Sequence, residues 1–239
     1  GLSHARNAGL KVAQGELIIF TDDDVFPCPD WLSIYWKAYV KNSKQCFFGG
    51  PVESVYEGEK PDQGLLKWAP ASVQGLDYGN EERFINSDEA FLAANWACSR
   101  EALNKVGGFD PNLGLNPALN EVRTGEEKDI MNRLLEIGCQ GLYLPQAKIG
   151  HFVPNDKCQF KHIMARREAY GREVALEHMK TYDGKFFMDT PLWIYKKLAQ
   201  DYIQLLSNKI SHKETYDVHA SLYYIKGMTK EIQNIRKRR

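Results

Sequence analysis

The 239-residue chain has no apolar run approaching the roughly 18 residues of a membrane-spanning helix, no C-x-x-C pair, no repeat and no low-complexity tract. Each absence removes a class. Without the apolar run there is no legible helical span, and no signal peptide opens the chain. The five cysteines (28, 46, 98, 139 and 158) are odd in number and lack paired spacing, which favours free thiols in a reducing compartment over a zinc site or a disulfide framework. Excess charge is missing too: 31 Lys and Arg balance 31 Asp and Glu, so no global field recruits nucleic acid and no such partner is expected. The local exception is the basic end Ile235-Arg236-Lys237-Arg238-Arg239. At 43% hydrophobic residues, the chain can fill the core of one large or two small domains.

Against this plain background one stretch stands out, Leu17-Ile18-Ile19-Phe20-Thr21-Asp22-Asp23-Asp24. Four apolar residues after Gly15-Glu16 read as a strand buried on both faces, and the carboxylates then emerge at its C-terminal end, where open α/β sheets hold ligands. Three adjacent anions raise one another's pKa unless a cation sits among them. A hard divalent ion, Mg²⁺ or Mn²⁺, is the matching partner, with open coordination positions for phosphate oxygens. The competing view is a solvated acidic turn before the helix that starts at Pro29-Asp30. A phosphatase-type D-x-D-x-[TV] motif fails at Phe26.

The rest of the chain alternates α and β and ends in α alone. Ser3 to Ala13 reads as a helix feeding the first strand. A crossover into a parallel sheet needs an earlier strand, so the chain, which lacks an initiator Met, reads as a fragment without it. Trp31, Leu32, Ile34, Tyr35, Ala38 and Tyr39 give an amphipathic helix to about Asn42. Strands are expected at Cys46–Phe48, Val52–Tyr56 and Phe91–Ala97, a short helix at Arg100–Val106, and an irregular loop over 57–88. A helix starts at Thr124-Gly125-Glu126-Glu127 and stops at Gly138. Short extended pieces end at His151, and helices separated near Asp183-Gly184 and His212 follow from Lys157. The expected division is a domain over 1–179 and a helical extension over 180–239.

Several side chains have the chemistry to serve a phosphate-bearing ligand. Glu127, with Glu126 as its neighbouring alternative, sits at a helix mouth as a candidate base, although Thr124 and Glu127 also fit a capping box. His151 is a candidate third metal ligand or a structural imidazole. Arg166, Arg167 and Arg172 offer guanidinium forks suited to a diphosphate, or a solvated basic face. Asn95-Trp96 offers an amide and a flat ring to a sugar, or core packing.

Taken in order, Ala5-Arg6-Asn7 with Ala13-x-Gly15-Glu16, the Asp triplet with Pro29-Asp30-Trp31-Leu32, Val106-Gly107-Gly108-Phe109-Asp110, Gly125-Glu126-Glu127-Lys128-Asp129 with Arg133-Leu134 and Gly138, and Ala147 to His151 resemble family 2 glycosyltransferases over about residues 1–172. The resemblance implies a GT-A nucleotide-sugar-binding fold, with a mostly parallel sheet flanked by helices and here an α-helical C-terminal extension. It implies inverting sugar transfer from a UDP-, GDP- or dTDP-linked donor to a glycan or lipid-linked acceptor, as in polysaccharide biosynthesis. It places Mn²⁺ or Mg²⁺ at Asp22 and Asp24, a nucleotide contact at Arg6, and His151 with the Arg166 to Arg172 segment near the diphosphate. Joined to the side-chain readings above, the expected metal ligands are Asp24, Asp22 and His151, and the expected donor contacts are Arg6, Asp22, Asp23, Asn95, Trp96, Arg166 and Arg172. Glu127, where Asp is commoner, matches the base. A non-catalytic, truncated transferase-like interaction module is the alternative. The expected location is cytoplasmic or at the inner face of the cell membrane. The stripe Trp193, Ile194, Leu198, Tyr202, Ile203 and Leu206, beside Lys196, Lys197 and Lys209, can pack on the domain, form a dimer contact or make a weak peripheral contact with an anionic membrane, core packing coming first.

Overall fold

In the computed structural model, residues 1–42, 46–114, 125–211 and 213–237 are described. They divide into two compact units, one within 1–58, 71–121 and 125–154, the other within 59–70 and 155–239. The expected boundary at residue 179 falls inside the second unit, near the end of a helix that packs on the C-terminal helix.

The first unit opens with α1 (Leu2–Val12), β1 (Leu17–Phe20), β2 (Val25–Pro27) and α2 (Trp31–Asn42). Next come β3 (Cys46–Gly49), β4 (Val52–Tyr56), α4 (Ala71–Gln74) and β5 (Arg83–Phe84), with α3 (Gln63–Leu66) assigned to the second unit. The 57–88 stretch thus carries two helical turns and a short strand where an irregular loop is expected. The unit closes with β6 (Trp96–Ser99), α5 (Arg100–Lys105), α6 (Glu126–Glu136), β7 (Gln140–Tyr143) and β8 (Ile149–Val153).

Five strands form a sheet in the order β1-β6-β3-β7-β5, and β2-β8-β4 form a second. The first sheet is mixed rather than mostly parallel: β3 pairs β7 in parallel, while β1–β6, β3–β6 and β5–β7 are antiparallel. β6 enters between β1 and β3 running the opposite way, a long-range pairing that leaves no local periodicity. β1 is only half-buried along its length rather than buried on both faces, because among the described residues it pairs with β6 alone.

Alternation along β3 splits the core. Phe47 joins Trp96, Phe109, Ile130, Met131 and Leu134 on one side, and Phe48 joins Trp31, Tyr35, Leu142 and Ile149 on the other. α6 buries Ile130, Met131 and Leu134, carries three acids in its first turn against the helix dipole, and ends where Gly138 adopts φ +86.

The strand expected from Phe91 starts only at Trp96, because the Asn95 N–H donates to the Leu92 carbonyl and closes a turn. Asn95 is fully buried. Its Oδ1 accepts from Trp31 Nε1 and Tyr35 Oη at 2.8 Å each, and its Nδ2 donates to the Pro51 and Ala147 carbonyls at 2.9 and 2.7 Å. Asn95→Ala strands two donors and two acceptors in the core. We expect it to cost roughly 3–5 kcal/mol, measured by urea unfolding, given about 1–3 kcal/mol for each buried orphan.

The second unit holds α3, a 3₁₀ turn at Asn155–Cys158, α7 (Phe160–Thr181), a hairpin of β9 (Phe186–Phe187) and β10 (Thr190–Pro191), α8 (Leu192–Ile210) and α9 (Tyr216–Lys237). Gly171 of α7 and Gly227 of α9 let the two helices touch: a Cβ on Gly171 would lie 2.1 Å from the Tyr224 carbonyl oxygen, and one on Gly227 would lie 1.9 Å from that of Glu168. Among the described residues no helix is long and apolar enough to cross a membrane. The described cysteines 28, 98, 139 and 158 are free thiols. His212, Arg238 and Arg239, named above for a helix break and the basic end, lie outside the described residues.

Candidate active site

Asp22, Asp23 and Asp24 leave the C-terminal end of β1 and turn into β2. β2 runs antiparallel to β8 with Val25 opposite His151, and the Phe152 N–H donates to the Asp24 carbonyl at 2.9 Å. This pairing delivers a buried imidazole to the acid cluster. One ligand atom from each of Asp22, Asp24 and His151 lies within 4.8 Å of the others, and His151 Nε2 stands 3.5 Å from Asp24 Oδ1.

Asp24 Oδ1 and His151 Nδ1 are buried without a hydrogen-bond partner among the described residues. Burial raises the Asp22 pKa most; Arg6 pulls it back, and Asp24 pushes it up again. A pair of repelling carboxylates with an orphaned oxygen beside an imidazole is a donor set that a divalent ion satisfies. Asp23 is exposed.

The second constellation is built by a turn that carries none of its acids. Asn7 on α1 donates Nδ2 to the Phe109 carbonyl at 2.7 Å and accepts from the Phe109 N–H at 2.9 Å. From the other side, Arg133 on α6 donates to the Val106 carbonyl, and at 2.8 Å to the Gly108 carbonyl, while pairing with Asp129. Gly107 and Gly108 adopt φ +78 and +75, and a Cβ on Gly108 would lie 2.7 Å from Asn7 Oδ1.

With both helices fixed to one turn, Arg6 reaches α6. Its Nη1 donates to Glu127 at 2.9 Å and to Glu126 at 3.3 Å, and its guanidinium lies 5.2 Å from the Phe109 ring centre. The role of Phe109 under Arg6 and those of Asn7 and Arg133 are not evident from spacing; the only signal is that all three lie inside the quoted motifs.

One arginine serves two carboxyls. Burial, then the Glu126 charge, push the Glu127 carboxyl up to about 7 against the pull of Arg6. The Glu127 side chain is 19% exposed and that of Glu126 5%, so Glu127 is the more accessible to a ligand. The N-cap of α6 is Gly125 at φ +96, with no side-chain cap hydrogen bond among the described residues, and Thr124, the expected capping-box residue, lies outside them.

The other expected donor contacts fall elsewhere. Asn95 and Trp96 are fully buried, Asn95 with every polar atom engaged as described and Trp96 stacked at 4.4 Å on Phe20. This corrects the expectation that they face a sugar: both are core residues.

Arg166 and Arg172 lie on α7 in the second unit. Arg172 pairs with Glu168 at 2.9 Å. Between them, Arg167 sits 4.9, 5.2 and 5.4 Å from the rings of Trp68, Tyr170 and Tyr224, and burial lowers its pKa. Its side chain lines a pocket of about 200 Å³ with Trp68, Pro70, Arg166 and Tyr170.

Residues 1–107 match the family model described as glycosyl transferase family 2. The chain is similar to the pre-mycofactocin glycosyltransferase of Mycobacterium tuberculosis, 28% identical over 178 residues, covering 73% of this chain and 34% of the relative. It is also similar to the glucosyl-dolichyl phosphate glucuronosyltransferase of Haloferax volcanii, 24% identical over 179 residues, covering 73% of this chain and 55% of the relative. The chain therefore spans between about a third and about half the length of these relatives. A mannosyltransferase from Pyrobaculum calidifontis, solved in complex with GDP-Man and Mn²⁺, shares the fold at TM-score 0.53 and 17% identity, over 98% of this chain and 67% of that one. The expected GT-A type of α/β fold is thereby shown.

Proposed function

We propose that this chain, whose residues 1–107 carry the family 2 glycosyltransferase domain, moves a sugar from a nucleoside-diphosphate donor to an acceptor hydroxyl with inversion at the sugar carbon. The observation that carries this is the Asp22, Asp24 and His151 cluster, in the same unit as an arginine-anchored acid whose pKa lies near neutrality. The three ligand side chains fit a divalent ion, and a nitrogen among the oxygens favours Mn²⁺ over Mg²⁺. Bound there, such an ion supplies charge neutralisation for a departing diphosphate.

The remaining chemistry belongs to the protein. Glu127, ionised above pH 7, accepts the proton of the acceptor hydroxyl as that oxygen bonds to the anomeric carbon and the bond to the diphosphate oxygen breaks. Arg6 holds the Glu127 carboxylate in place and balances its charge. Asp22 and Asp23 are proposed as contacts to the nucleotide's ribose and phosphates. A glycan or lipid-linked acceptor, and a cytoplasmic or inner-membrane-face location, complete the proposal.

The test is nucleoside diphosphate release from UDP-, GDP- and dTDP-sugars with Mn²⁺, Mg²⁺ or EDTA. Release from at least one donor, faster with Mn²⁺ and abolished by EDTA, is the expected result. No release from any donor under any metal would favour the interaction-module alternative.

A further inference from the structure

The expected stripe on α8 divides between two faces. Ile194 is buried and Trp193 and Leu198 pack beside it, whereas Tyr202, Ile203 and Leu206 are exposed at 57%, 68% and 62%. With Tyr195 and Ile210 they form one outward row at helical spacing. The row extends beyond the helix. Phe187 and Met188, 57% and 77% exposed, sit at the tip of the β9–β10 hairpin; the Phe187 ring meets Tyr195 edge-on at 5.8 Å, and Tyr195 Oη donates to the Phe187 carbonyl at 3.0 Å. Met188 and Asp189 hold φ of +44 and +56, a left-handed conformation that costs free energy without glycine. Strain is thus accepted in a turn that turns two large apolar side chains outward.

The unpaired charges on the row's own helix have one sign. On α8, Asp201 is buried and held by Lys197 and Ser221, and the charges left without a partner among the described residues are Lys196 and Lys209. At the hairpin, Asp189 is paired with Arg236. A groove of about 530 Å³ between α8 and α9 runs from Leu198 and Tyr202 to Lys226, which pairs with Glu168, and Lys230. Two copies meeting through this face across a two-fold axis would bring lysines toward lysines with no acid on α8 to answer them. An apolar row with tyrosines at its margin, lysines as the unpaired charges of α8, and its hairpin acid Asp189 neutralised by Arg236 matches the boundary between acyl chains and anionic headgroups.

We infer that the β9–β10 tip and the outer face of α8 form a docking surface for an anionic phospholipid bilayer. Lys196 and Lys209 supply a salt-screened attraction, and Phe187, Met188, Ile203 and Leu206 enter the headgroup layer.

The test is co-sedimentation of the chain with vesicles of phosphatidylcholine alone and with 30% phosphatidylglycerol, at about 0.05 and 0.5 M NaCl, composition and salt being chosen on the order of a Debye-length contrast. Pelleting with the anionic vesicles at low salt, falling at least about tenfold in Met188→Asp/Ile203→Asp and several-fold in Lys196→Glu/Lys209→Glu, is expected. All four positions are exposed, so the melting temperatures should match the parent. Absence from every pellet overturns the inference. So does a dimer by analytical ultracentrifugation that the Met188→Asp/Ile203→Asp pair dissolves, because the face is then covered by a second copy.

Discussion

Asp24→Asn should lower Mn²⁺-dependent donor cleavage by about 10²- to 10³-fold, the cost of removing one electrostatic partner of a developing charge, without lowering the melting temperature in metal-free buffer. The two readouts separate ligand from scaffold. Asp24 Oδ1 has no hydrogen bond to lose among the described residues, and its charge raises the pKa of Asp22. Asparagine keeps the shape and removes the repulsion, so the metal-free protein should be as stable as the parent or more so. The parent should also melt higher with Mn²⁺ present, by an amount equivalent to about 2.7 kcal/mol at a hundredfold excess over Kd, and the variant should lose most of that rise. Parent-like cleavage in Asp24→Asn, or a lower metal-free melting temperature, would return the Asp24–His151 contact to a structural role.

Glu127→Gln should reduce turnover by about 10²- to 10⁴-fold, the range for losing a general base, while donor affinity changes little. Parent-like turnover would dismiss Glu127 as base, and a deficit confined to Glu126→Gln would move the role one residue. The pH dependence gives a second, independent reading. Because the Glu127 carboxyl is pushed up to about 7 in the fold, from an ordinary value of 4.5, turnover in the parent should rise with pH through about 7 and then level.

Stability moves the opposite way. Between roughly pH 4.5 and 7 the folded chain holds a proton that the unfolded chain has released. The associated stabilisation is complete below 4.5 and is lost as pH rises through 7. Glutamine cannot titrate, so the melting temperature of Glu127→Gln should be flatter than that of the parent across this window. An unchanged slope would assign the titration to another group.

Local pattern revealed the elements that carry their own signals. The apolar run ending in three acids became β1 and its turn, the Trp31-to-Tyr39 face became α2, and the acidic first turn with Gly138 as stop became α6. What stayed hidden depends on distant pairing. β2 has three residues, one of them proline, and is a strand only because β8 lies beside it; yet that pairing brings His151 to Asp24. The antiparallel entry of β6 and the burial of Asn95 are of the same kind, since an amide that bonds Trp31, Tyr35, Pro51 and Ala147 looks in sequence like one that awaits a sugar.

The clamp at Gly107 to Phe109 also bears on how the site can diversify. Asn7 and Arg133 set the separation of Arg6 from the two glutamates, and Gly114 already abuts α6, where an added Cβ would lie 3.0 Å from Glu126 Cδ. A lineage or a designer that keeps Asn7, Arg133 and this turn therefore keeps the acid and its arginine in register while other parts of the unit change.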